Sequence, residues 1–283
     1  MASDLRAIRV DLHSHSNVSD GELAPTELVA RAHAQGVELL ALTDHDELAG
    51  LAPAAAAAAA LNLPFVPGVE VSVTWGGTTV HIVGLGVDAN NAELQAGLVH
   101  VRSGRLRRAR EMADQLAAVG VAGAFEGALA HAGNVDMVSR THFARYLVDT
   151  GVCRDVREVF NRYLSEGKPG FVTHRWASLA QAVGWIGGAG GVAVLAHPGR
   201  YKLNDLAMHE LMSEFKTAGG TALEVSTSNH SRAQIETYAL AARRFGLEAS
   251  AGSDFHAPGE STAELGGAAP LPADLTPVWH RFV

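Results

Sequence analysis

One cysteine in 283 residues, Cys153, leaves no partner for an intramolecular disulfide and fits a chain kept in a reducing compartment. Long apolar runs are also missing. The nearest approach, Leu51 to Leu63, is mostly alanine and too short and weakly hydrophobic to cross a bilayer, and Met1 to Arg9 has no apolar stretch of the kind a secretory leader needs. Positive charge is scarce: 22 Lys and Arg against 30 Asp and Glu give a net charge of −8. That balance argues against coating nucleic acid by bulk electrostatics but leaves a small anionic substrate open. No repeat of roughly 20 to 50 residues and no low-complexity linker divides the chain. The absences together predict a cytoplasmic globular protein with no membrane and no stable DNA partner, large enough to bury its own core.

Histidine, by contrast, is abundant, with 14 in the chain. The stretch Val10-Asp11-Leu12-His13-Ser14-His15 ends an apolar segment on two histidines spaced i, i+2, which a strand turns to one face where both imidazoles can meet one ion. Asp20 follows in Ser-Asp-Gly, where a turn swings a carboxylate back towards them. The arrangement then repeats. Leu39 to Leu42 reads as a strand ending in Thr43-Asp44-His45-Asp46; Pro64 to Val73 is strand-like and carries Glu70; Thr78 to Leu85 carries His81 and pairs with it across Gly76-Gly77. Gly191 to Ala196 runs into His197-Pro198, and Leu247 to Ser253 into Asp254-Phe255-His256. Helices fit Pro25 to His33, Leu51 to Leu61, Leu206 to Ala218 and Ser231 to Phe245, so strand and helix alternate as in a mainly parallel sheet with outer helices. A barrel-like α/β fold gathers such strand ends at one mouth.

Between about residues 92 and 177 the rhythm turns helical, with one long helix expected from Leu94 to Val119. The expected organisation is a first barrel part over residues 1–91, a helical insertion over 92–177 serving as lid or substrate subdomain, and a second barrel part over 178–283. The run of arginines from Arg102 to Arg110 reads most simply as a solvated helix face. Trp75, Phe143, Phe171 and Trp176 read as core by default, with one of them available to stack a base. His33, His100, His131, His174, His209 and His280 belong to no constellation and read as structural, and Cys153 has no partner for nucleophilic work.

Collected, the strand-end donors are His13, His15, Asp20, His45, Glu70, His81, His197, Asp254 and His256. Imidazole and carboxylate without thiolate suit manganese, with iron or zinc as alternatives, and nine donors suit two or three divalent ions sharing a bridging carboxylate. The ordered set of His-x-His with Asp20, Thr43-Asp44-His45, Gly68-Val69-Glu70, His81-Ile82-Val83-Gly84, Ala196-His197-Pro198-Gly199 and Gly252-Ser253-Asp254-Phe255-His256 resembles the polymerase-and-histidinol-phosphatase (PHP) domain family. The resemblance implies a distorted seven-stranded β/α barrel holding two or three metals. By position, it implies that His13, His15, Glu70 and Asp254 hold one ion, that Glu70 bridges to a second completed by His81 and His197, and that Asp20, His45 and His256 hold a third. Asp44, beside a ligand, is expected to orient an imidazole.

Ser139-Arg140-Thr141-His142-Phe143-Ala144-Arg145 and Gly167-Lys168-Pro169-Gly170-Phe171 are similar to the branch of that family with ribonuclease AM and the 3′,5′-nucleotide bisphosphate phosphatases. The branch implies a metal-dependent phosphoesterase that removes the 3′-phosphate of a nucleoside 3′,5′-bisphosphate by attack of metal-activated hydroxide, without a covalent enzyme intermediate. A nucleotide phosphorylated at both ends needs one phosphate at the metals and the other gripped by cations. Arg140, His142, Arg145, Lys168 and Arg200 are the expected cations, and His230 follows a strand end within reach of substrate. The chemistry is expected to rest on Glu70, His197, Asp254 and His256, with the leaving oxygen protonated by His197, His230, His256 or water. A 5′-to-3′ exoribonuclease acting on short 5′-phosphorylated RNA uses the same site and is the nearest alternative. Histidinol-phosphate hydrolysis and a non-catalytic PHP module stand further off: a small aminoalcohol phosphate gives no reason for a basic insertion, and every ligand position is filled.

Overall fold

The computed structural model describes residues 8–261 and 263–283. Seven strands lie side by side in chain order: β1 (Val10–Asp11), β2 (Leu39–Leu42), β3 (Phe65–Trp75), β4 (Thr78–Leu85), β5 (Val192–Leu195), β6 (Ala222–Thr227) and β7 (Glu248–Gly252). Neighbours are parallel except at β4, which runs antiparallel to both β3 and β5. The edges meet, because the Leu12 amide donates to the Ala251 carbonyl and Ser14 bridges Phe255. The sheet therefore closes into the expected distorted seven-stranded barrel, which leaves no long edge exposed.

Strand alternation decides what each residue faces. On β3, Val66 and Glu70 share the inner face while Val69, Val71 and Val73 pack against outer helices; on β4, His81, Val83 and Leu85 share the inner face and Val80 and Ile82 the outer one. The β3–β4 hairpin turns at Gly76 and Gly77, whose φ values of 54° and 80° lie in the left-handed region that two-residue hairpin links require. The barrel is covered outside by α1 (Pro25–Ala34) and α2 (Leu51–Ala60) on one side. Pro25 suits the first turn of α1, and the Glu27 carboxylate accepts from the Ala24 amide at 2.9 Å. Residues 268–283 form a plug: Val278 and Trp279 join the interior cluster of Val10, Leu39 and Val192, at the amino ends of the parallel strands.

The helical stretch opens with α3 (Ala92–Arg102) and α4 (Arg105–Ala118), so the single helix expected over Leu94 to Val119 is two. The break falls at Ser103-Gly104, where a Cβ on Gly104 would lie 2.2 Å from the His174 ring. Then come α5 (Ala124–His131), α6 (Arg140–Asp149), α7 (Val156–Val159) and a π-helical turn at Phe160–Leu164. These share a core of their own around Met112, Leu116, Phe143, Leu147 and Leu164. The outer layer resumes with α8 (Leu179–Gly188), α9 (Asp205–Thr217) and α10 (Arg232–Phe245). Among the described residues no helix is long and apolar enough to cross a membrane.

Candidate metal centre and the cleft above it

The strand ends converge. Glu70 is fully buried at the middle of the cluster, and its two oxygens face different neighbours: Oε1 lies 3.0 Å from both His81 Nδ1 and His197 Nε2, and Oε2 lies 3.3 Å from the Nε2 atoms of His13 and His15 and 2.9 Å from His45 Nδ1. Asp254 Oδ1 is 3.4 Å from His13 Nε2 and 3.1 Å from His15 Nε2. Asp20 Oδ1 is 3.3 Å from His256 Nε2 and 3.8 Å from His45 Nε2. Four sets of donor atoms fall within coordinating range of one another: His15, Asp20, His45 and His256; His13, His15 and Asp254; His13, Glu70 and His197; His45, Glu70 and His81. All nine residues singled out from the sequence thus meet at one place, and several belong to two sets.

Packing of this kind fits divalent cations. Buried Glu70 Oε2, His45 Nδ1 and Asp20 Oδ1 have no hydrogen-bond partner despite their short separations, so the donor atoms face common points rather than each other. His13 Nε2 and His15 Nε2 lie 3.1 Å apart, close enough for both to face one ion. The carboxylates draw it in. Burial opposes charge on His13, yet Glu70, Glu224 and Asp254 hold its pKa well above the usual imidazole range; burial likewise opposes charge on His45, which Glu70 and Asp20 raise to about 9. His15 goes the other way, driven down to about 3 by burial and by its neighbours His256 and His45. Buried carboxylates without a compensating cation would be costly, and hard N/O donors suit first-row divalent ions.

Backbone strain marks the same mouth. Asp46, His197 and Asp254 have φ values of 47°, 26° and 54°, uncommon for residues with a Cβ and costing on the order of 1–3 kcal/mol each. Asp44 orients no imidazole. Its carboxylate accepts from the Ser16 amide, the Ser16 hydroxyl and the Ser19 hydroxyl at 2.6–2.7 Å, which holds the loop that carries Asp20. Burial, against those hydrogen bonds, raises its pKa to about 6.

Above the cluster lies a solvent-open cleft of about 200 Å3, lined by Asp20, His45, His81 and His256 below and by Arg105, Arg108, Arg140, Phe160, Trp176 and Arg200 above. Two of these cations differ from the sequence expectation. Arg105 and Arg108 are buried on the inner side of α4, not on a solvated face, while Arg107 between them keeps a largely exposed side chain. They turn inward because Asp46 pairs with Arg105 and because the Trp176 indole offers a face, its centroid 4.7 Å from the Arg105 guanidinium and 5.4 Å from that of Arg108. Among the described residues Arg108 otherwise donates to the Val172 carbonyl, and burial together with Arg140 and Arg105 lowers its pKa to about 9. Arg140 stacks over Phe160 with no carboxylate partner among the described residues.

The remaining expected substrate cations divide. Arg200 lines the cleft and pairs with Asp254. His142 does not reach it: its Nδ1 accepts from the Ser139 amide at 3.0 Å to cap α6, and burial pushes its pKa down to about 4. That cap leaves the Ser139 and Thr141 hydroxyls free to donate to Asp20 Oδ2, each at 3.0 Å, and directs Arg140 into the cleft. Arg145 is held bidentately by Glu260 at 2.9–3.2 Å and faces a separate surface hollow. Lys168 is exposed outside the cleft lining. His230 has no nitrogen to spare, since Nδ1 donates to the Val225 carbonyl and Nε2 accepts from the Gly199 amide. Trp176 and Phe160 line the cleft, Phe143 is core, and Phe171 and His174 line a continuation of the cleft. Sequence reasoning read Arg105 and Arg108 as solvated and passed over Glu224, though both carried faint signals: arginines three apart on one helix face, and a lone acid within the apolar run Ala222 to Val225.

Known proteins share this fold. The chain is 55% identical to a 3′,5′-nucleoside bisphosphate phosphatase of Chromobacterium violaceum over 96% of each chain, and 41% identical to a 5′-3′ exoribonuclease of Haemophilus influenzae over 97% of this chain and 99% of that one. Its fold superposes with a TM-score of 0.94 on an amidohydrolase from Chromobacterium violaceum solved with bound sulfate and no metal, at 54% identity and covering 97% of this chain and 95% of that one. The model of the PHP domain matches residues 11–171, more than half of the sequence. With that match and with relatives of this identity along nearly its whole length, the chain belongs to the PHP domain family.

Proposed function

We propose that this protein is a metal-dependent phosphoesterase that hydrolyses the 3′-phosphate of nucleoside 3′,5′-bisphosphates to leave the 5′-monophosphate. The observation that carries the reading is the pairing of two unlike sites in one cleft: nine convergent imidazole and carboxylate donors below, and Arg108 and Arg140, buried or half-buried without carboxylate partners, above. The first set would receive the phosphate to be cleaved and the second a phosphate to be kept. Two like charges this close, with no carboxylate bonded to either among the described residues, favour an anionic ligand between them. The similarity to a nucleoside bisphosphate phosphatase supports the same substrate class.

His13, His15, Glu70 and Asp254 would hold one divalent ion, Glu70, His81 and His197 a second, and Asp20, His45 and His256 a third. Manganese is the proposed metal, with iron or zinc as alternatives. Bound there, such ions supply an activated water near neutral pH and counter-charge for the phosphoryl oxygens. The residues of the chain do the rest. Glu70 divides its two oxygens between neighbouring sets of histidines and so fixes their spacing. Arg200, already beside Asp254 and lining the cleft, can turn its guanidinium to a phosphoryl oxygen. His256 is spent on the set with Asp20 and His45, its Nε2 facing Asp20 and its Nδ1 donating to the Asp254 carbonyl at 3.0 Å, so the leaving 3′ oxygen would take its proton from water. Trp176 and Phe160 are the aromatic faces available to the base.

A second reading has an observation in its favour. The cleft continues past Arg108, Arg140, Trp176 and Arg200 into a groove bounded by the β3–β4 hairpin and Phe171 to His174, a path along which a short 5′-phosphorylated RNA could lie. Phosphate or nucleotide release with manganese from adenosine 3′,5′-bisphosphate, 5′-phosphorylated di- to pentanucleotides and histidinol phosphate separates the readings. Preference for the bisphosphate supports the first, preference for the oligonucleotides replaces it with the second, and cleavage of histidinol phosphate alone sinks both.

A further inference from the structure

Glu224 is a buried acid that neither the donor sets nor the cleft lining includes. It stands on β6 next to an irregularity in the pairing with β7, between Glu224 and Ser226, on the inner face opposite Leu223 and Val225, which pack outward. Its two oxygens serve two different strand ends. Oε1 lies 3.0 Å from His13 Nδ1, and Oε2 accepts from the backbone amide of His197 at 2.5 Å. His197 is the residue whose φ of 26° needs holding.

We infer that Glu224 is a positioning residue that ties two metal-ligand histidines together, fixing the ring hydrogen of His13 on Nδ1 and the strained backbone of His197 at once. A carboxylate only accepts, so the hydrogen between it and His13 sits on Nδ1, which leaves Nε2 to present its lone pair towards His15, Glu70 and Asp254. Acidic partners of this kind orient metal-bound imidazoles and make them better donors. The inference rests on the metal-centre reading above.

Glutamine at this position makes the point testable, because it keeps the shape but not the chemistry. An amide has one accepting and one donating end, while the site asks for two acceptors. The His197 amide hydrogen cannot move, so the glutamine oxygen stays with it and the NH2 turns to His13, which must then shift its hydrogen from Nδ1 to Nε2. His13 would be lost as a ligand through Nε2 while the protein keeps its fold.

The experiment compares wild type and Glu224→Gln by calorimetric titration with Mn2+ and by histidine 15N–1H spectra of the Zn2+-loaded proteins. Expected are a roughly 10- to 100-fold weaker affinity for the ions that share His13 and His197, retained binding at the Asp20, His45 and His256 set, and a wild-type His13 with its hydrogen on Nδ1. Unchanged Mn2+ affinity in a folded variant overturns the inference. So does a wild-type spectrum with the His13 hydrogen on Nε2, which decides the matter even if the variant does not fold. Failure of wild type itself to bind Mn2+ overturns the metal-centre reading as well, and is distinguishable for that reason.

Discussion

The mouth of the barrel and the roof of the cleft are built by opposite means. Below, nine donors come from strands of the closed sheet and the loops that follow them, and most are tied twice: Glu70 touches five histidines, and His13 is held by Glu70, Asp254 and Glu224. Above, Arg108 and Arg140 come from helices with a separate core and make few polar contacts of their own. The roof is tied to the barrel by side chains rather than by a shared sheet: Ser139 and Thr141 on Asp20, Arg105 on Asp46, Arg102 on the Asp46 carbonyl and Glu47, and Arg145 on Glu260. A floor of donors fixed by the closed sheet and a roof of cations suit a reaction in which the reacting centre must be exact in placement while the retained part of the substrate selects what enters.

Substitutions should separate the two regions, the floor responding in turnover and the roof in substrate affinity. The largest effect belongs to Glu70→Gln, which removes the negative charge from the central bridge: phosphate release should fall by about a thousandfold or more, several kcal/mol of transition-state stabilisation, with circular dichroism unchanged. Removal of metal by a chelator should abolish activity, and Mn2+ should restore it. Near-normal turnover of metal-loaded Glu70→Gln would remove the floor from the chemistry altogether.

Next comes Arg108→Ala or Arg140→Ala. Loss of a charge-assisted contact worth about 2–3 kcal/mol should raise KM for the bisphosphate by roughly 30- to 100-fold, with a far smaller change for a 3′-phosphate lacking the second phosphate. Equal losses on both substrates would erase the division of labour between roof and floor.

Smaller still is the acid response of the roof. His142 is neutral in the fold, its pKa pushed from 6.5 to about 4 by burial, so the unfolded chain takes up a proton that the folded chain refuses. The stability this represents is present above about pH 6.5 and is lost as pH falls towards 4, amounting to roughly 1–2 kcal/mol by pH 5. Urea midpoints of wild type and His142→Gln from pH 8 to 5 should therefore converge, since the substituted glutamine can accept from the Ser139 amide without titrating; parallel curves would refute the capping role. Least of all, Lys168→Ala should leave KM and turnover within about twofold, because Lys168 is exposed outside the cleft.

Much of the floor was legible because its residues are tied to strand periodicity. Histidines and acids follow the apolar runs at His13, His45, His197 and Asp254 and sit on one face of the paired strands at Glu70 and His81, and closing the sheet brings them together. The roof was not legible for the converse reason. Arg105, Arg107, Arg108 and Arg110 look alike along a helix, and which of them turns inward depends on where Trp176 and Asp46 stand, residues distant in sequence. His142 misled because a histidine beside Arg140 looks like a phosphate ligand, whereas at the third position of a capped helix its ring nitrogen is claimed by the backbone.

The sequence by itself determined the barrel, the hairpin at Gly76-Gly77 and the nine donors, since alternation, turn-forming residues and ligand chemistry are local properties of the chain. Only the tertiary structure decided which arginines face the cleft, which histidines are spent on the backbone, and that Glu224 reaches both His13 and His197. Those outcomes depend on which hydrogen-bond and stacking partners folding brings within 3–5 Å, and no periodicity in the chain records them.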